Sequence, residues 1–323
     1  MQKSKLYPLI LSPTIKNYIW GGEKLLHLLD RNEHSDLQKV AEIWAIYGEN
    51  RIQNGSYAGV RLVDLLQERS EELIGFTESG KQRLDFPILI KILDCQEWLS
   101  IQVHPDDEQA RLMESTHSNG KTETWFCLDS EPGSKIYAGS KIGISTLDLV
   151  ESIKKNNILD TIQVHELNKN DYIMINAGVI HALGPGLTIY ELQQSSDITY
   201  RVYDWDRPAT AGRPLHIEKA SFAAKNIQTF PRHIHGNEKS NSFETLIDCP
   251  YFKLGLIKNV ENSIDMNTNL KSFHALTVSS GELKLQFEDL NVKVNQYESI
   301  FIPASLGNYQ LSGEFSVLLA SIA

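Results

Sequence analysis

Short apolar runs broken by turn residues recur along this chain at roughly 8–12-residue spacing, the pattern of an all-β sandwich or barrel. AEIWAIYGEN (41–50) alternates as a strand does, and FPILIKILD (86–94) is a continuous apolar run suited to a buried strand. TWFCLD, KIYAGS and DTIQVHEL continue the series, followed after residue 241 by FETLID, YFKLGLI, SFHALTVSSGELKLQF and FSVLLASI. Helices are exceptions. The stripe Leu62, Leu65, Leu66, Leu73 before Gly75 predicts one near 60–74. Pro105, Asp106 and Asp107 open another near 106–115, and Ser145 is placed to cap a third near 146–157, with Leu149, Val150 and Ile153 on its buried side. Residues 207–240 are polar, contain Pro231 and the run HGNEKSNS, and read as a linker. The expected architecture is therefore a larger domain at 1–237 and a smaller β domain at 238–323.

A partial repeat supports the second domain. NKNDYIMINAGVIHAL (168–183) is similar to VNQYESIFIPASLGNYQL (294–311), with Ala177 meeting Ala304 and His181 meeting Asn308. The C-terminal copy keeps the turn and loses the histidine, so it is expected to be structural and metal-free.

The stretch LSIQVHPDDEQARLMESTHSNGKTE (99–123) carries the chemistry. Residues two apart share a strand face. Leu99, Ile101 and Val103 are thus expected to point one way, and Ser100, Gln102 and His104 the other. The same spacing puts Lys121 and Glu123 together. An amide, an imidazole, a carboxylate and an ammonium are offered in one short segment, and the first three suit a divalent metal. Further on, Asn176–His181 is a turn that delivers a histidine to the next strand. Ile189, Glu191 and Gln193 share one face, and Thr199, Arg201 and Tyr203 another.

Bulk composition narrows the function classes. The net charge of −10 disfavours a general nucleic-acid binder, and the basic residues form no stripe with interleaved aromatics. An anionic substrate would need a local cationic cluster. No apolar run is long enough to span a membrane and no signal peptide is apparent, so no membrane partner is expected. Three cysteines, Cys95, Cys127 and Cys249, without C-x-x-C spacing, fit a reducing cytoplasm. Gly184-Pro185-Gly186 is a turn and not a phosphate loop, since no Gly-Lys-Ser/Thr follows. His233-Ile-His235 has metal-like spacing but lies in the polar stretch, where it is expected to be solvated with no carboxylate partner.

LSIQVHP followed by GKTE resembles the first metal motif of the type I mannose-6-phosphate isomerases (phosphomannose isomerases) in their short bacterial-type form. NAGVIHAL and YELQQSSDITYRVYDWDR resemble the later motifs, and the likeness runs over most of the chain, from WGG (20–22) to the degenerate second barrel. The resemblance implies a mainly β cupin, a jelly-roll barrel with the metal inside. It implies interconversion of mannose 6-phosphate and fructose 6-phosphate through an enediol(ate), with Zn²⁺ as cofactor, one ion per chain, in a monomer or homodimer. It implies Gln102, His104, Glu123 and His181 as metal ligands, Arg201 as the active-site arginine, and Lys121 and Glu191 as further active-site residues. The chain departs from the family in lacking the long helical insertion of its larger members, and in having Asn176 where cupins usually carry proline.

These residue types match what the reaction demands. Moving a proton between C1 and C2 of an opened sugar requires a stabilised enediolate, a base on one face and a cation for the phosphate. Glu191 is the expected shuttle and Lys121 its rival; Arg201 and Lys121 are the candidate cations. Glu191 paired with Arg201 for structure alone is the plainer alternative. Two other functions share such a pocket: a metal-dependent cupin oxygenase, disfavoured by the basic pair, and a non-catalytic sugar-phosphate-binding cupin.

Overall fold

A computed structural model of the chain describes residues 5–29, 34, 36–76, 85–208, 213–234 and 242–322. Packing divides the chain into two compact units: Met1–Thr14, Ile43–Ile90 and His235–Ala323 in one, and Ile15–Glu42 with Lys91–Ile234 in the other. This grouping is not a single cut at 237/238, because 43–90 groups with the C-terminal segment.

In chain order the first strands are β1 (Thr14–Lys16), β2 (Glu42–Ile46), β3 (Ile88–Cys95), β4 (Ile101–Val103), β5 (Glu123–Ser130) and β6 (Lys135–Ser140). Next come β7 (Ile162–Glu166), β8 (Asp171–Ile175), β9 (His181–Leu183), β10 (Leu187–Gln194), β11 (Tyr200–Tyr203) and β12 (Arg232–His233). The helices are α1 (Leu62–Ile74), α2 (Asp107–Met113), α3 (Thr146–Lys154) and α4 (Ile217–Ala223). The first three fall where the sequence places them. Asp106 caps α2 and Ser145 caps α3, each through a reciprocal capping box. β2 is buried throughout and does not alternate.

The unit holding Lys91–Ile234 has two sheets. One runs β10-β5-β8-β12, with the Lys91–Cys95 end of β3 beside β10; the other runs β11-β4-β9-β6-β7. An apolar cluster that includes Trp125, Ile136, Ile173, Leu183 and Ile189 fills the space between them. The outer face of the second sheet is covered by α3 and α4, where Ile101, Val103, Ala182, Tyr200 and Val202 pack on Leu149, Ile153, Ala220 and Ala223. This inverts the usual alternation. The apolar side chains of β4 face the helices, which leaves Gln102 for the barrel interior. Leu99 is a correction to the alternation: it precedes the strand and joins the interior cluster, away from Ile101 and Val103.

The linker expectation for 207–240 also fails within the described residues. α4 and β12 are folded elements there, and β12 pairs with β8. His233 is not solvated without a partner: its ring lies 2.6 Å from the Asp171 carboxylate. His235 and 235–241 lie outside the described residues.

The other unit contains β13 (Ser242–Asp248), β14 (Lys253–Asn259), β15 (Ser263–Asn267), β16 (His274–Gly281), β17 (Leu283–Phe287), β18 (Leu290–Val294), β19 (Ser299–Ile302), β20 (Asn308–Ser312) and β21 (Phe315–Ser321). They form sheets ordered β13-β14-β21-β16-β19 and β15-β20-β17-β18. Asn308 opens β20 as His181 opens β9, so the repeat aligns in structure. Here, though, the core is apolar, with Leu276, Leu285, Ile300, Leu311 and Val317 among its members.

Candidate metal centre

Strand pairing delivers the polar residues to one place. Gln102 on β4 lies opposite His181 on β9 and opposite Arg201 on β11. Glu123 opens β5 opposite Gln193, and Glu191 lies opposite Trp125. The turn before β9 is closed by Val179 N–H donating to the Asn176 carbonyl (3.0 Å), with Gly178 at φ +92° and its N–H donating to the His104 carbonyl (2.8 Å). That bond ties the two histidine-bearing segments together directly.

His104, Glu123 and His181 are buried, and their candidate ligand atoms lie within 4.8 Å of one another. Each imidazole is oriented by a backbone carbonyl. His104 Nδ1–H donates to Ile198 O (2.8 Å) and His181 Nδ1–H to Val179 O (2.9 Å). A carbonyl only accepts, so the proton is fixed on Nδ1 and the Nε2 lone pair turns inward. Those lone pairs meet the Glu123 carboxylate, His104 Nε2 at 3.5 Å from Oε2 and His181 Nε2 at 3.4 Å from Oε1. Gln102 Nε2 lies 3.3 Å from His181 Nε2, and half a rotation of the amide presents its oxygen instead. Burial, then the Lys121 ammonium, pushes His104 down to about 3; burial also lowers His181. Burial works against the Glu123 anion, but the charge beside it, the Lys121 ammonium foremost, outweighs this and holds the carboxyl well below its usual range. Two neutral imidazoles and an ionised carboxylate result.

This donor set fits a divalent cation. Neither oxygen of Glu123 accepts a hydrogen bond, and the 2.7 Å approach of Lys121 to Oε2 is an ion pair without hydrogen-bond alignment. With no aligned donor on either oxygen, the buried carboxylate is open to a cation placed between it and the two imidazoles. Ligands at tetrahedral angles about 2 Å from an ion are about 3.3 Å apart, close to the two histidine–carboxylate separations of 3.5 and 3.4 Å.

A cavity of about 270 Å³ adjoins this cluster, and Gln102, Lys121 and Glu191 are on its lining. Lys121 Nζ also lies 3.3 Å from His104 Nε2 and 3.7 Å from Glu191 Oε1. Glu191 does not pair with Arg201. Its Oε2 accepts from the Trp125 indole (3.1 Å), and its Oε1 lies 3.1 Å from Lys91 Nζ. Arg201 Nε donates to the Ser100 hydroxyl (3.1 Å) and Nη1 to Pro214 O (3.0 Å); burial, then Arg213, lowers its pKa. Arg213, chelated by Asp204, the aromatic pair Tyr18–Trp20 and the acidic Glu42 and Asp197 are also on the lining. All four sequence-predicted ligands and all three further site residues thus lie at one locality.

Lys91 and Arg213 are cavity residues that the sequence reading missed. A lysine inside the otherwise apolar run FPILIKILD was the available signal, because a charge is left in a buried strand only where it has partners. Burial disfavours its ammonium, but Glu42 and Glu191 outweigh this and raise its pKa.

The family described as "Phosphomannose isomerase type I, catalytic domain" matches residues 9–124. Mannose-6-phosphate isomerase ManA from Bacillus subtilis is 32% identical over 315 residues, 95% of this chain and 96% of that protein. A mannose-6-phosphate isomerase from Streptococcus mutans is 29% identical, covering 96% and 97%. The crystal structure of mannose 6-phosphate isomerase from Bacillus subtilis superimposes with a TM-score of 0.84 at 29% identity, over 98% of this chain and 99% of that one. A phosphomannose isomerase variant from Salmonella typhimurium, 17% identical, shares the fold with a TM-score of 0.76, over 98% and 99%. With a relative above 30% identity matched over nearly its whole length, this chain belongs to the type I phosphomannose isomerase family.

Proposed function

We propose that this protein interconverts mannose 6-phosphate and fructose 6-phosphate as a zinc-dependent aldose–ketose isomerase. The observation that carries the reading is the convergence of His104, Glu123 and His181 beside a cavity lined by Lys121, Glu191 and Arg201. His104, Glu123 and His181, with Gln102 through its amide oxygen, would hold one Zn²⁺ per chain. When bound, the ion supplies Lewis-acid polarisation of a substrate oxygen.

The chain's own residues do the rest. Glu191, with one oxygen held by Trp125, takes the proton from C2 of the opened aldose. The electron pair of that C–H bond forms the C1–C2 double bond, and the charge moves to O1, giving an enediolate. Returning the proton to C1, with the hydroxyl proton passing from O2 to O1, yields the ketose. Lys121, within reach of His104 and Glu191, offers positive charge to the enediolate. Arg201 forms no ion pair with a carboxylate among the described residues, which leaves its guanidinium for the phosphate. The catalytic role is proposed for 1–237 and a structural, metal-free role for 238–323. We infer a cytoplasmic enzyme, a reading supported by three free thiols; among the described residues no helix is long and apolar enough to cross a membrane.

A coupled assay for fructose 6-phosphate, with EDTA stripping and metal add-back, tests the proposal. Activity lost with EDTA and restored by Zn²⁺ is expected. Binding of the sugar phosphate by metal-loaded protein without turnover would make it a binding protein instead, and oxygen consumption an oxygenase.

A further inference from the structure

We propose that Asp107 and Gln194 are positioning residues that hold the Gly120–Glu123 segment, and so fix where Lys121 and Glu123 meet the metal centre. The consequence for catalysis rests on the isomerase reading; the consequence for ion binding does not.

The sheet alone does not hold this segment. The β5–β10 ladder ends at Glu123 opposite Gln193, so Lys121 and Thr122 lie beyond it. Gln194 extends the pairing by other means. Its N–H donates to Thr122 O (3.0 Å), and its side-chain Oε1 accepts from Thr122 N–H (2.9 Å). The other end of the same amide donates from Nε2 to Asp107 Oδ1 (3.0 Å), and that oxygen also accepts from Gly120 N–H (2.8 Å). Lys121 N–H donates to Pro105 O (3.0 Å). Every backbone N–H from 120 to 122 is thereby bonded, two of them to the joined pair Asp107–Gln194.

Asp107 was expected to complement the helix end. Asp106 already does so, accepting from Gln109 N–H (2.9 Å), and both bonds to Asp107 Oδ1 come from outside the helix. The contact also accounts for Gly120. A Cβ there would lie 2.5 Å from the backbone of Asp106 and Asp107, so any larger residue would push the segment off its anchor. Gln194 and Thr122 are buried and Asp107 is half-buried, so the bonds between Gln194 and Thr122 are shielded from water.

The test compares Asp107→Ala, Asp107→Asn and Gln194→Glu with the unchanged chain by Zn²⁺ affinity, measured by competition with a chromophoric chelator. Amide exchange at 120–123 in ion-free protein and kcat/KM are followed in parallel. Loss of groups that orient metal ligands weakens ion binding about 10–100-fold, and that range is expected for Asp107→Ala and Gln194→Glu, with faster exchange. Gln194→Glu keeps an acceptor for Thr122 but sets an oxygen against Asp107 Oδ1. Asp107→Asn keeps an oxygen that accepts both bonds and is expected to restore affinity and exchange. Unchanged affinity and exchange in Asp107→Ala, or Asp107→Asn behaving as badly as Asp107→Ala, would overturn the proposal. Should Asp107→Ala fail to fold, wild-type affinity and exchange in Gln194→Glu would overturn it equally. An unchanged chain that binds Zn²⁺ but makes no fructose 6-phosphate would sink the isomerase reading, while affinity and exchange still decide this one.

Discussion

Two protons on nitrogen define the centre. Nδ1–H of His104 and of His181 each bond a carbonyl, and those bonds turn two Nε2 lone pairs toward one buried carboxylate. Among the residues around them, Glu191 faces the sharpest test, because two roles were open to it. The indole of Trp125 and the ammonium of Lys91 fix its carboxylate on the cavity lining. Glu191→Gln keeps the shape and the acceptor for Trp125 but cannot carry a proton. We expect kcat to fall about 10²–10⁴-fold, the usual worth of a positioned acid–base group, with KM changed far less. Exchange of the C2 proton into deuterated solvent should stop; exchange that persists would move the shuttle to Lys121. At this scale the sequence was readable where two-residue spacing on one strand puts side chains together, as for Gln102 and His104 or Lys121 and Glu123. The role of a residue was unreadable where it acts through partners distant in the chain. Lys91 matters through Glu42 and Glu191, and Asp107 through Gly120 and Gln194.

Among the elements, α4 and the stretch leading into it changed most between sequence and structure. IEKASFA fully buries only the small Ala220 and Ala223, with Ile217 half-buried beside them, and follows a proline-containing polar segment, so periodicity alone gives little sign of a helix. Its docking surface, the outer face of β4, β9 and β11, is set by residues far away in the chain. The entry to α4 also holds Arg201, the proposed phosphate ligand. His216 N–H donates to Arg201 O (2.7 Å), His216 Nδ1 accepts from Arg201 N–H (3.1 Å), and Pro214 O accepts from the guanidinium. His216→Ala removes one of these bonds and leaves a backbone N–H of β11 without its partner. A net hydrogen bond is worth about 1 kcal/mol, or roughly fivefold. A several-fold rise in KM for the sugar phosphate is expected, with kcat near the original value, because the guanidinium is proposed to hold the phosphate. A fall in kcat at constant KM would instead place Arg201 at the reacting carbons.

For the whole molecule, burial of histidines sets the response to acid. His104 is held down to about 3 and His274, half-buried beside Tyr309 in the other unit, to about 4. Unfolded, both titrate near 6.5. Between 6.5 and these values the unfolded chain binds protons that the folded chain refuses, so stability is lost as pH falls through that window. Glu123, held well below its ordinary value, adds to the loss in the same direction below about 4.5. Lys91 acts at the other end: its raised value favours the folded chain until pH climbs past the ordinary lysine range. The metal-free protein should therefore show a flat unfolding midpoint near neutrality and a steady fall below about pH 6.5, measured by denaturant titration at fixed pH in EDTA. Saturating Zn²⁺ keeps the ligands deprotonated and should delay the fall attributable to His104, His181 and Glu123 but not that of His274. His274→Gln should flatten the remaining slope between about pH 6.5 and 4, since the replacement does not titrate there. A metal-free midpoint that stays level across that window would mean that neither histidine is buried as described, and with it the neutral-imidazole picture of the centre would fall.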